Sequence, residues 1–477
     1  MIRQLTCAVA LLAALSMMFG SVACRSDSPA EKQPQAVAAK RSGTGPAAIV
    51  LITIDTMRAD ALDLSGDDTP FLRQLAGKAV VFANAYSTSS WTAPAVASLM
   101  TGLWPHSHGI RRGMVSRLGT QRVQQVVRQP LLSQSFQTLA EKMKAAGFTT
   151  IGVAANLHLA ARLGFGQGFD RYYGDGFIDA AEVNLRATRF LEEVYGEQWE
   201  ARWRLEPTFL WLHYFDPHMP YDARRPWIVR QAADFEQRPE LYPAGVDAPE
   251  LLKRRPLSRE EAAPLHALYR SEVSYADDQL RKLNERMHFD AEDVLVIVSA
   301  DHGEEFGEHR GLGHSTTLFD EVVRVPLFVR WPKGLPAARH SQQLVSLTDV
   351  YATIAELLGE QVETQGQRLP LARDGEPAQR PLFLQTDRAR PSLSAVVDGQ
   401  WKLIRSQSRR GRKLWLYDLA RDPAEISDLT ATHPEVAQRL DLALSEHAER
   451  LPRPPQDAQP VPVQEGASER LRALGYE

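Results

Sequence analysis

The 477-residue chain is 44% hydrophobic and 24% charged, an ordinary globular composition with room for one large core and a smaller one. Its net charge of -4 leaves no basic footprint, so the sequence offers no sign of a nucleic-acid partner. The two cysteines are Cys7 and Cys24, so beyond residue 24 there is no disulfide, no cysteine nucleophile and no thiolate metal site.

In chain order, the first element is a targeting segment. Arg3 supplies a positive charge, and Leu5 to Phe19 is an apolar stretch of signal-peptide length, short for a membrane span. Ser21-Val-Ala-Cys24 resembles a bacterial lipoprotein cleavage box, although Ser21 stands where a larger aliphatic residue is usual. We read residues 1–24 as signal peptide and lipobox in preference to plain secretion, because Cys24 has no other role in a chain without further thiols. Residues 25–46 are polar and read as a disordered tether. The expectation is an exported, periplasmic or outer cell-envelope lipoprotein, joined to the membrane through an N-terminal lipid anchor.

From residue 48 on, strand-like and helix-like stretches alternate. The expected strands include Ala48–Ile54, Thr149–Ala154, Phe209–Tyr214, Val294–Ser299 and Pro326–Arg330. Phe136–Ala146 and Leu268–Leu283 carry helical spacing. This alternation predicts an α/β fold with a mostly parallel central sheet flanked by helices. Residues 224–264, rich in Pro, Arg and Glu, read as an irregular insertion near the site mouth. A helix over Tyr351–Leu358 closes a catalytic domain of residues 47–360. Residues 361–477 read as a smaller C-terminal α+β subdomain with strands Pro381–Gln385 and Ser394–Arg405, a proline-rich strap over Pro452–Pro462 and a helical tail at Ser468–Leu474.

Ligands bind outside the carboxyl ends of parallel strands. Two apolar strands deliver acidic residues there: Ile49–Ile54 runs into Asp55, and Val294–Ser299 runs into Asp301-His302-Gly303. A carboxylate and an imidazole together suggest a metal site. Twelve residues after His302 comes His314. Thr92 precedes Pro94, which suits a first helical position, and Gly102 suits the stop. On its own, Thr92 reads better as a helix cap than as a nucleophile.

The motifs change that balance. Ile52-Thr-Ile-Asp55-Thr-Met-Arg58-Ala-Asp60 is followed by Trp91-Thr92-Ala-Pro94, Ala97-Ser-Leu-Met-Thr-Gly102, Pro105 and His108-Gly109. Leu163-Gly-Phe, Gly168-Phe-Asp170 and Leu210-Trp-Leu-His213-Tyr-Phe-Asp216-Pro-His218 come next. Ser299-Ala-Asp301-His302-Gly303-Glu-Glu-Phe-Gly307-Glu-His309, Gly313-His314, Arg324-Val-Pro-Leu327, Leu416-Tyr-Asp418 and Asp422-Pro complete the series. Together these resemble the sulfatase branch of the alkaline phosphatase superfamily over about residues 46 to 477. The resemblance implies an alkaline-phosphatase-like fold and one divalent metal held by Asp55, Asp301, His302 and the Thr92 oxygen. His218 and His314 match substrate-contacting or leaving-group positions, or ligands of a second metal. Arg58, His106, His108 and His309 read as structural or supporting. Glu304, Glu305 and Glu308 read as a solvated acidic face.

The departures are informative. Sulfatases carry Cys or Ser, oxidised to formylglycine, within a Cys/Ser-x-Pro-x-Arg motif; here Thr92 and Val96 take those places. Thr56 replaces the second of two adjacent aspartates, and Ala155-Asn156 lies where a Lys-x-His segment is expected. An Asp/Asp/His/Thr donor set favours zinc or manganese over calcium. It resembles the phosphoryl-transferring relatives, phosphonate monoester hydrolases and threonine-dependent phosphoethanolamine transferases. A threonine ester cannot expel sulfate by collapsing to an aldehyde, so water or an alcohol must displace the group in line. The expected function is metal-dependent hydrolysis of an anionic sulfate, phosphate or phosphonate ester, with Thr92 as nucleophile and His218 or His314 protonating the leaving oxygen. The rivals are a cell-envelope headgroup transferase and a non-catalytic envelope binding protein.

Overall fold

The computed structural model describes residues 45–455 apart from 63, 113–114, 118–125, 130, 243–256, 336–337, 373–378 and 389–390, together with 461–462. The signal peptide, nearly all of the tether and the helical tail lie outside the described residues.

The continuous apolar runs become the centre of an eight-stranded sheet. Its strands are β1 (Ala48–Ile54), β2 (Val80–Tyr86), β3 (Thr149–Ala154), β4 (Arg171–Tyr173), β5 (Thr208–Tyr214), β6 (Val294–Ala300), β7 (Leu327–Arg330) and β8 (Arg339–Ser346). Their order is β8-β2-β7-β6-β1-β5-β3-β4. Only β7 runs against its neighbours; the other pairings are parallel. β1, β5 and β6 are buried along their whole length, which is why they show no polar alternation. β8 is the polar strand Arg-His-Ser-Gln-Gln-Leu-Val-Ser at the sheet edge, and its sequence carries no apolar run to reveal it.

The helices form two groups. α1 (Thr92–Thr101), α2 (Leu139–Ala145) and α5 (Thr348–Leu357) pack with one another, and α3 (Ala180–Tyr195) packs on α4 (Arg259–Met287). Strand β3 touches both α2 and α3, as a sheet covered on two faces requires. α4 begins at a capping box made by Ser258 and Glu261 and passes through Pro264. The insertion expected over 224–264 is therefore partly helical: its end belongs to α4, and Trp227–Gln231 is a short helix.

The C-terminal subdomain is a four-stranded antiparallel sheet of β9 (Leu382–Thr386), β10 (Ser392–Asp398), β11 (Trp401–Ser408) and β12 (Gly411–Asp418). The single strand expected over Ser394–Arg405 is instead a hairpin that turns at Gly399, where φ is +60°. Its period-2 pattern builds two cores. Ala395 and Val397 face Tyr86, Leu318 and Val323 of the main body, whereas Val396, Leu403 and Leu416 face Leu440 and Leu444 of helix α6 (Pro434–Arg450). In the strap region, Val461–Pro462 pairs with the strand Val126–Gln129.

Candidate active site

Strand register assembles the site. β1 lies between β5 and β6, with Ile54 level with Tyr214 on one side and Ala300 on the other. The next residues, Asp55 and Asp301, therefore emerge side by side. His213 sits one step lower, opposite Thr53. β3 ends at Ala154, level with His213, and releases Asn156 onto the same edge. Thr56 is held at φ +57°, a strained value for a β-branched residue, and its amide donates to Asp301 Oδ1 at 3.3 Å.

α1 brings Thr92 to these groups. Thr92 Oγ1 lies 3.5 Å from Asp55 Oδ2 and 3.4 Å from His302 Nε2. His302 Nε2 is 3.4 Å from Asp55 Oδ1 and 3.7 Å from Asp301 Oδ2. Asn156 Nδ2 donates to Asp55 Oδ2 at 2.8 Å and to Thr92 Oγ1 at 3.4 Å. His213 Nε2 approaches Asp301 Oδ2 at 3.5 Å. Asp55, Thr92, Asp301, His302, Asn156 and His213 are all fully buried.

Two buried carboxylates this close cannot both stay charged without a cation beside them. Burial and the Asp301 charge push Asp55 well above the usual carboxylate range. Burial also opposes ionisation of Asp301, but His302 and His213 outweigh it and hold that group below the ordinary carboxylate range. Asp55 Oδ1 accepts no hydrogen bond although it is buried. Donor atoms of Asp55, Asp301 and His302 all lie within 4.8 Å of one another. Separations of 3.4–3.7 Å match a tetrahedral site with bonds of about 2.1 Å or an octahedral one with bonds of about 2.4 Å. These residues fit a divalent ion. A second cluster, Glu305, His309 and Glu321, is comparably tight, but its donors are used internally: His309 Nδ1 meets Glu321 at 2.7 Å and Glu305 accepts the amides of His309 and Gly311.

The two histidines stand beside this centre. The His314 ring is 4.6 Å from the His302 ring and 4.8 Å from that of His218. His314 Nδ1 contacts Glu304 Oε1 at 2.9 Å, and Tyr221 donates to Glu304 Oε2 at 2.9 Å. His218 stacks on Phe215 at 4.4 Å and contacts the Met219 carbonyl through Nδ1. Burial drives both imidazoles well below their ordinary range, with neighbouring histidine charges adding to the effect.

The structure thus gathers Asp55, Thr92, Asp301, His302, His218 and His314 at one edge. Some expectations need correction. Thr92 is the first residue of α1 rather than its cap; Trp91 holds the cap position and Pro94 lies in the first turn. Glu304 and Glu305 are buried, not solvated, and Glu308 pairs with Arg58 at 2.8 Å. Arg58, His108 and His309 are supporting: Arg58 donates to the Glu304 carbonyl, His108 meets Ser98, and His309 stacks on Phe319. The sequence alone assigns no role to Asn156, to His213 or to His158, whose ring packs on Trp91 at 5.8 Å. Asn156, two residues beyond β3, and His213, one residue from the end of β5, lie at the same carboxyl edge as Asp55 and Asp301.

A Sulfatase family model matches residues 47–360. The chain belongs to the sulfatase family. As a member it is an ester hydrolase of a metal-dependent family, and the Asp55–Asp301–His302 cluster is the candidate for its ion. A model of the N-sulphoglucosamine sulphohydrolase C-terminal region matches residues 307–450. The chain is similar to choline-sulfatase of Rhizobium meliloti (strain 1021), 24% identical over 448 residues that cover 81% of this chain and 83% of that one. It is also similar to N-acetylgalactosamine-6-sulfatase of Canis lupus familiaris, 23% identical over 466 residues, covering 85% and 86%. The solved phosphonate monoester hydrolase of Agrobacterium radiobacter shares its fold with a TM-score of 0.62 at 23% identity, covering 88% of this chain and 100% of that one.

Proposed function

We propose that this sulfatase-family hydrolase uses unmodified Thr92 as its nucleophile on sulfate, phosphate or phosphonate esters, with phosphoryl esters favoured. The observation that carries this is the convergence of Asp55, His302 and Asn156 on the Thr92 oxygen in a fully buried setting. The names of similar proteins, choline-sulfatase and phosphonate monoester hydrolase, span the same ester classes.

A divalent ion held by Asp55, Asp301, His302 and the Thr92 oxygen, zinc or manganese from the donor set, would supply the charge that eases ionisation of the hydroxyl and offsets the anionic ester. Thr92 donates toward Asp55 Oδ2, the first acceptor on its proton's way out. The Thr92 oxygen then bonds to phosphorus or sulfur as the ester oxygen departs with its bonding pair. His218 or His314 protonates that oxygen. Burial disfavours the charged form of both rings; the negative charge of the bound ester shifts them back toward the protonated form. With His314 Nδ1 engaged by Glu304, proton exchange falls to its Nε2. Water attacks next in line, the Thr92 oxygen leaves and regains a proton, and the inorganic anion departs. A threonine ester has no carbonyl to re-form, so this second displacement is obligatory. That favours phosphoryl over sulfuryl substrates. The same proposal includes a cell-envelope enzyme on a lipid anchor, a reading supported by the apolar segment ahead of Cys24.

The test is direct. Thr92→Ala should lose about four or more orders of magnitude in turnover, and Thr92→Ser should keep measurable activity. Chelation should abolish turnover, with zinc or manganese restoring it better than calcium. A slow phosphoester should add a phosphoryl mass to the peptide spanning Thr92. Wild-type turnover in Thr92→Ala would overturn the nucleophile.

A further inference from the structure

The chemistry above needs a cation that faces the anionic group. The arginine expected four residues after the nucleophile is Val96, buried inside α1, and the lysine-bearing segment is Ala155-Asn156. A guanidinium reaches the site instead from the C-terminal subdomain. Strand β9 ends at Thr386, and Asp387 and Arg388 follow. The Arg388 guanidinium carbon stands 5.3 Å from the ring centre of Trp91, the residue before Thr92. The same indole packs edge-on against the His158 ring at 5.8 Å, so the guanidinium, Trp91 and His158 stand together beside Thr92.

This position is built. The Gln385 amide donates to the carbonyl of Thr88, four residues before the nucleophile, at 2.9 Å. Thr386 Oγ1 donates to the carbonyl of Ser315, next to His314, at 2.8 Å. Ser315 itself sits at φ +78°. Arg111 grips the Asp387 carboxylate through Nε at 2.8 Å and through a second nitrogen at 2.5 Å, and the Asp387 amide donates to the Arg111 carbonyl at 3.3 Å. The Asp387 side chain is 1% exposed. The residue before Arg388 is thus clamped, and the segments bearing Thr92 and His314 are each tied to the same strand end.

We propose that Arg388 is the substrate-anion receptor of this site, its guanidinium taking the non-bridging oxygens of the sulfuryl or phosphoryl group that Thr92 attacks. The planar fork suits a tetrahedral oxyanion, and its fixed charge complements the equatorial oxygens as they gain negative charge. Asp387 and Arg111 are positioning residues that hold the loop. The inference rests on the Thr92 reading for the identity of the transferred group, but binding of the anion can be measured without turnover.

The probes are inorganic phosphate and inorganic sulfate, as competitive inhibitors and as calorimetric ligands of the metal-loaded full-length enzyme. Arg388→Met should weaken phosphate binding about ten- to a hundred-fold, the worth of charge-assisted hydrogen bonds, with metal content unchanged. Arg388→Lys should restore part of the affinity. Asp387→Asn should weaken binding several-fold alone and add little on top of Arg388→Met, a coupling that a merely structural residue would not show. The larger loss, for phosphate or for sulfate, identifies which anion the site is built for. Unchanged affinity for both anions in Arg388→Met, with the melting temperature retained, would overturn the proposal, and so would equal effects of Lys and Met. If Thr92→Ala keeps turnover while Arg388→Met loses phosphate affinity, the nucleophile reading fails and Arg388 stands. The reverse pattern removes Arg388 alone.

Discussion

Asn156 Nδ2 donates to Asp55 Oδ2 at 2.8 Å. The amide neutralises nothing, but it satisfies one oxygen of a buried acid and leaves Oδ1 for the ion. Asn156→Ala should lower kcat/KM by about one to two orders of magnitude, the scale of an outer partner that orients a ligand. Asn156→Asp should be worse, because a third buried carboxylate repels Asp55 and Asp301. Steady-state kinetics on an aryl phosphate separate the two. An Asp variant more active than the Ala variant would contradict this role.

Lys402 ties the C-terminal sheet to Asp320 of the main body. It is fully buried in β11, and its ammonium lies 2.7 Å from Asp320 Oδ1 and 2.9 Å from Glu425 Oε1. Burial disfavours its charge, but the two carboxylates outweigh that and hold it protonated. Lys402→Met strands both acids, at a cost of about 3–5 kcal/mol. Adding Glu425→Gln should recover part of the loss. Denaturant unfolding of the three proteins tests this, and a wild-type midpoint for Lys402→Met would refute it.

His108 sets an acid limit on stability. Its Nδ1 accepts from the Ile110 amide at 3.2 Å and Nε2 meets Ser98 Oγ at 3.0 Å, which fixes the neutral ring. Burial brings its pKa down from 6.5 to about 3, and the Arg111 charge adds to the shift. The unfolded chain therefore binds more protons between these values. The contribution is fully present above pH 6.5 and is lost as pH falls toward about 3, at about 1.4 kcal/mol per pH unit. His108→Gln should be less stable at neutral pH and show a shallower acid slope. Parallel slopes for variant and wild type would exclude His108 as the cause.

The proposed anchor has a simple check. Cys24→Ala should release the protein from membranes of expressing cells, and wild type should carry a lipid mass on its N-terminal peptide. A variant that stays membrane-bound alongside a lipid-free wild type would remove the anchor.

Much of the site was legible because it obeys one rule, side chains at the carboxyl ends of buried parallel strands. β1 and β6 announce themselves by uninterrupted apolar runs, and Asp55 and Asp301 follow at once. The edge strand β8 was hidden because five of its eight residues meet solvent and carry no pattern. Glu304 was misjudged because three glutamates in five residues look like a wet surface; only the fold shows Tyr221 and His314 closing over one of them. Arg388 was beyond reach of local reasoning, since its relevance depends on contacts spanning some three hundred positions of chain.

The tie between β9 and the carbonyls of Thr88 and Ser315 bears on engineering. Grafting the C-terminal region of a relative at residue 361 would exchange part of the pocket wall along with the strand. If Arg388 receives the anion as proposed, a chimera of that kind would inherit its anion preference from the donor of the smaller piece. Selectivity in this molecule is therefore better altered by replacing single side chains in place than by trading whole modules.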